Sequence, residues 1–181
     1  MSRIVVPTRE AAPAASQPLL DGVQKQLGVV PNLFRLVALS PAALQGFLSF
    51  SGALGKALDV RTRERIAIAV AQVNGCDYCL SAHTYLGLNL AKIDNAEIAL
   101  NRRGASSDPK ANAAVAFSRK ITENRGHVAE GDLQAVRAAG YTDAQIVEII
   151  AIVAENIFTN LVNIVAETEI DFPVIRTSEA A

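Results

Sequence analysis

Cys76 and Cys79 are the only two cysteines of the chain, and they sit with a histidine in the stretch Gly75-Cys76-Asp77-Tyr78-Cys79-Leu80-Ser81-Ala82-His83. Thiols at this spacing in the first turn of a helix can close a disulfide and be reduced again, which a cycling redox catalyst requires. The helix N-terminus assists, because its unpaired amides and dipole favour thiolate over thiol. His83 follows Cys79 by four residues and so shares its helical face, within reach of the thiol proton directly or through water. Cys79 is therefore the expected attacking sulfur. Cys76, nearer the helix end and expected to be the more exposed, is placed to resolve a sulfenic acid on Cys79 by forming the disulfide. An external dithiol must then reduce it.

Glu64 belongs to the preceding helix. If the chain reverses near Gly75, Glu64 lies about 16 Å before the turn and His83 about 12 Å after it, an offset that long side chains bridge. A carboxylate beside the imidazole orients it and raises its basicity. Arg63 and Arg65 flank Glu64, which leaves an ordinary surface ion pair as the other reading.

Three further readings of the same residues stand beside the redox one. Cysteines are often small buried hydrophobes. Cys76, Cys79 and His83, with Glu64 or His127 as a fourth ligand, could hold zinc in a metal-stabilised binding module, although structural zinc sites usually bring a second Cys or His pair. The third alternative is a dithiol–disulfide oxidoreductase acting on another protein. His127, in Arg125-Gly126-His127, reads as a solvated loop residue. Tyr78 is either a wall beside the substrate or a packed aromatic, while Tyr85 and Asn89 read as packing.

The elements that must carry these side chains are all helical; no strand pattern of useful length occurs. Short helices are expected at 19–27, closed by Gly28, and after Pro31. Ser40-Pro41 starts a third that runs to about residue 58. Thir placement continues with Thr62 as the N-cap of a helix ended by Gly75, followed by the helix 77–88 and by one capped at Asp94 with Glu97. Segments 110–124 and 132–139 follow. A capping box, Thr142 with Gln145, launches the most apolar helix, along which Ile146, Ile149, Ile150, Val153, Ile157, Leu161, Ile164 and Val165 form a broad stripe. Asn156, Asn160 and Asn163 are expected to hydrogen-bond across a helix interface. An offset of about 80 residues lays Thr62–His83 on Thr142–Asn163, matching Asn156, Thr159 and Asn163 to Cys76, Cys79 and His83, and suggesting two related halves.

Residues 1–18 read as an N-terminal arm, 19–175 as one all-helical domain and 176–181 as a tail. Half of the 181 residues are hydrophobic and only 19% charged, an apolar balance that points to surface hidden in a homo-oligomer. A net charge of −1 disfavours nucleic acid and anionic membranes as partners. Residues 144–166 are interrupted by Glu148, Glu155 and the three asparagines, against a membrane span. Ile4-Val5-Val6, ended by Pro7, is too short for a secretory signal, so a cytoplasmic protein is expected.

Glu64, eleven intervening residues, Cys76-x-x-Cys79, three intervening residues and His83 resemble the signature of the AhpD-like alkylhydroperoxidases within the carboxymuconolactone decarboxylase superfamily. Val30-Pro31-Asn32-Leu33-Phe34, Ser40-Pro41, Arg63-Glu64-Arg65 and Asn74-Gly75-Cys76 are similar to its peroxidase-related branch, and the likeness covers roughly residues 28–172. The resemblance implies an AhpD-like all-α bundle assembled as trimers or hexamers. It also implies a hydroperoxide substrate, an external dithiol or protein reductant, and no cofactor or metal. Cys79 would be the peroxidatic thiol, Cys76 the resolving thiol, and Glu64 with His83 the proton relay. The decarboxylase branch lacks the cysteine pair, which argues against that chemistry here.

Overall fold

Helix starts and stops follow local chemistry along the whole chain. The structure, a computed structural model, describes residues 2–179; Met1 of the expected arm and Ala180 and Ala181 of the expected tail lie outside the described residues. Among the described residues there are nine helices and no strand: α1 (Gln17–Leu27), α2 (Asn32–Val37), α3 (Pro41–Leu54), α4 (Val60–Asn74), α5 (Asp77–Asn89), α6 (Asn95–Arg102), α7 (Pro109–Glu123), α8 (Glu130–Ala138) and α9 (Asp143–Ala166). The all-α expectation holds. Ser40, Asp94 and Asp108 each cap the following helix by accepting from the backbone three residues on, and Thr142 with Gln145 forms the expected capping box. Such caps satisfy amides that the first turn leaves free.

Two expectations are corrected at α3 and α4. Helix α3 stops at Leu54, four residues early; Leu58 looked helical because it is buried at the end of the following turn. Helix α4 is capped by Asp59, not Thr62: the Asp59 carboxylate accepts from the Thr62 backbone amide at 3.0 Å and from its hydroxyl at 2.7 Å. Both residue types cap well, and the aspartate lies where the chain is still extended. Thr62 thus does not match Thr142, and α9 runs unbroken across the stretch aligned with the Gly75 break, so the two segments of the 80-residue echo are built differently.

Helix α4 is the axis of the fold. It packs against α5, α6, α7 and α9, and its residues 65–71 are all buried. Helix α9 is long and apolar enough, by length and composition, to cross a membrane. Here it serves as a core helix, with Ile149, Ile152, Val153, Asn156 and Asn160 buried and with α2, α3, α4, α5 and α7 against it. Three clusters of side chains make up the core, one of which contains both cysteines with Ile68, Leu80, Ile93 and Ile98.

Glu97 locks the α4–α6 contact. Its carboxylate pairs with Arg65 at 3.0 Å, both side chains being less than 10% exposed. It also accepts from the Ser106 and Ser107 hydroxyls, the Ser107 amide and Asn101. Burial alone would raise its pKa, but these hydrogen bonds hold it at about 2.

Candidate active site

Gly75 makes the redox turn possible. It ends α4 in the left-handed region, φ 71°, where a side chain would be strained, and the chain reverses into α5. Cys76 is the N-cap of α5, its Sγ accepting from the Cys79 amide at 3.2 Å. Asn74 Nδ2 donates to Asn160 Oδ1 on α9 at 2.8 Å, fixing the turn from the other side. The sulfurs of Cys76 and Cys79 are joined in a disulfide, with Cα atoms 5.3 Å apart.

Cys76 is not the exposed partner. It is 1% exposed and Cys79 3%, because the segment after α9 lies over this end of α5. Ile170, Phe172 and Ile175 pack on the cysteine cluster. Asp77 accepts from the Thr177 amide and hydroxyl, each at 2.8 Å, and from Arg176 at 3.1 Å. Ser81 Oγ donates to the Asp77 carbonyl at 2.7 Å and accepts from the Ile175 amide at 2.9 Å. Tyr78 faces the same layer: its hydroxyl accepts from the Leu33 amide at 3.1 Å, and its ring meets Phe172 edge-on at 5.8 Å. It is a packed aromatic, and burial pushes its pKa up.

Glu64 and His83 meet. Glu64 Oε2 accepts from His83 Nδ1 at 2.8 Å, so the α4–α5 hairpin closes the expected offset. This leaves Nε2 as the imidazole nitrogen that Glu64 does not engage. The side chains are 24% exposed for His83 and 13% for Glu64, a half-buried pair open at one edge. Burial works against a charged imidazole, yet the Glu64 carboxylate outweighs it by charge and hydrogen bond, Glu155 adds to it, and the His83 pKa rises. The arginines flanking Glu64 are engaged elsewhere, Arg63 on the Leu58 carbonyl and Arg65 on Glu97. His127 is exposed, as expected of a loop residue.

Two residues that sequence reading left out of the site also reach it. Glu155 influences His83 and lines an apolar groove of about 250 Å³ with Ala43, Phe47, Phe50 and Phe158. Asn163 donates from Nδ2 to Cys79 Sγ at 3.4 Å. The expectation that Asn163, a polar residue in the most apolar helix, hydrogen-bonds across a helix interface is met, but nothing in the sequence named Cys79 as its partner. Among the described residues no three His, Cys, Asp or Glu side chains are grouped to hold a metal ion, and sulfurs joined to each other are not available as thiolate ligands.

An all-helical dithiol–disulfide protein with a carboxylate-paired histidine is the class that fold and site define. Residues 41–120 match the profile of the carboxymuconolactone decarboxylase family. A solved structure described as an alkylhydroperoxidase AhpD core, a peroxidase-related protein from Ralstonia eutropha JMP134, superposes with a TM-score of 0.83 at 28% identity, over 94% of this chain and 92% of that one. A peroxidase-related protein from Silicibacter sp. TM1040 gives 0.81 at 26% identity, over 93% and 91%. A substituted form of the debrominase Bmp8 in complex with 2,3,4-tribromopyrrole shares the fold, with a TM-score of 0.79 at 20% identity over 94% of each chain. None of the curated protein sequences matches the chain. The chain is similar to the carboxymuconolactone decarboxylase family over residues 41–120, and it shares the fold of the AhpD core and the peroxidase-related proteins along nearly its whole length.

Proposed function

We propose that the protein is a cytoplasmic thiol peroxidase that reduces hydroperoxides, working as a homo-oligomer, trimer or hexamer, through its 19–175 domain. The observation that carries this reading is the Cys76–Cys79 disulfide four residues ahead of a histidine held by Glu64. His83 takes the proton of the Cys79 thiol. The thiolate attacks the terminal peroxide oxygen, the O–O bond breaks, and the alkoxide leaves with the proton returned by His83. Cys79 is then a sulfenic acid. The Cys76 thiol attacks its sulfur, the S–S bond forms and water departs. An external dithiol supplies two electrons and two protons to restore the thiols and is itself oxidised to a disulfide.

The rival readings find less support. A protein disulfide substrate would have to reach cysteines that are 1% and 3% exposed, and a zinc module would need a group of three or more ligands, of which there is none among the described residues. Exposed Val147, Leu161 and Val165 along α9 supply apolar surface for assembly. Purified protein given a dithiol reductant should consume hydroperoxide, and Cys79→Ser should abolish turnover. Undiminished turnover in that variant would overturn the proposal.

A further inference from the structure

The three buried asparagines of α9 have different employment. Asn156 donates to the Ile152 carbonyl of its own helix at 2.9 Å, and Asn160 holds Asn74; both bonds are structural. Asn163 is 3% exposed, its Nδ2 donates to Cys79 Sγ, and its Oδ1 is buried with no hydrogen-bond partner among the described residues. A buried carbonyl oxygen left unsatisfied costs roughly 1–3 kcal/mol. Leucine, close to asparagine in shape, would fill the same space without that loss. The amide is a poor packing device whose satisfied contact is a reactive sulfur.

The helix terminus does not by itself select Cys79. Its donated amide, that of Cys79, points to the sulfur of Cys76, which favours the Cys76 thiolate. A second donor on the other sulfur redresses this. We propose that Asn163 is a catalytic residue whose Nδ2–H stabilises the Cys79 thiolate and so makes Cys79, rather than Cys76, the attacking sulfur. The catalytic meaning rests on the peroxidase reading; the effect on the thiolate does not. A thiolate accepts more strongly than a disulfide sulfur, so the contact tightens when the pair is reduced. On α9 and the α4 and α5 helices packed against it, His83 pairs with Glu64 and is influenced by Glu155, and the Tyr78 hydroxyl is engaged by Leu33.

The test is run in a Cys76→Ser background, where the serine can still accept from the Cys79 amide and Cys79 alone titrates. Thiolate absorbance against pH and the iodoacetamide rate are measured for the parent, Asn163→Leu and Asn163→Asp. Asn163→Leu should raise the Cys79 midpoint and slow alkylation at pH 7 about tenfold, the size of one hydrogen bond to a charged acceptor, with thermal stability equal to or above the parent. Asn163→Asp keeps the shape, replaces the donor by a negative charge and should raise the midpoint further. A midpoint unchanged in either folded variant overturns the inference, and Asn163→Asp decides it if the leucine variant does not fold. Because peroxide turnover does not enter the readout, failure of the peroxidase reading alone leaves a shifted thiolate, whereas failure of this inference leaves it unshifted.

Discussion

Glu64 Oε2 lies 2.8 Å from His83 Nδ1, across the hairpin that α4 and α5 make around Gly75. The chain has two histidines, and the other, His127, is exposed, so ring-proton NMR follows both without crowding. His83 should titrate above its ordinary 6.5, and Glu64→Gln should bring it below that, since burial then acts with less opposition. A group with a raised folded pKa stabilises the protonated fold. The Glu64 contribution to stability should therefore be fully present at and just below pH 6.5 and fade as pH rises through the higher folded value. Urea denaturation of wild type and Glu64→Gln near pH 6 and pH 9 checks the sign: the gap should be wider at the lower pH.

That pair was legible before the fold because it needs only local facts: two helices by periodicity, a glycine between them, and side-chain reach. The caps were mostly legible for the same reason, and α4 failed only where two capping residues, Asp59 and Thr62, stand three apart. The Asn163–Cys79 contact spans 84 residues, and the α9 pattern cannot say which neighbour its polar positions meet. Cys76 was misjudged as exposed because the covering segment, residues 170–177, has no periodicity to announce that it packs.

Glu97 should behave as a structural carboxylate. Its removal strands Arg65 in the core, and losing one partner of a buried pair costs about 3–5 kcal/mol. Glu97→Ala should therefore lower the denaturation midpoint sharply, and Glu97→Gln less so, because its one amide oxygen still accepts at one of the two carboxylate positions, from Ser106 and Arg65 or from Ser107. The carboxylate holds its pKa at about 2 against an ordinary 4.5. Its stabilisation is present above pH 4.5 and is lost as pH falls toward 2, a contribution on the order of 3 kcal/mol. Wild type should lose stability over that acid range more steeply than Glu97→Gln, as read by denaturation at pH 5, 4 and 3.

Asp77 ties the segment over the disulfide to the helix that carries it. Burial alone would raise its pKa, but the Thr177 amide and hydroxyl and Arg176 hold it below its ordinary 3.8, so the anchor is present above that pH and is lost as pH falls beneath it. Asp77→Ala removes the acceptor for three donors while leaving Ser81 bonded to Ile175. The 176–179 end should loosen and the layer above the sulfurs thin. Trypsin cleavage after Arg176 should quicken several-fold at pH 7.5, and so should reduction of the Cys76–Cys79 disulfide by dithiothreitol, with circular dichroism unchanged. Faster cleavage without faster reduction would mean that Phe172 and Ile170 screen the sulfurs alone. No change in either rate would show that Ser81, Gln72 and Arg102, which also bond this segment, suffice to hold it down.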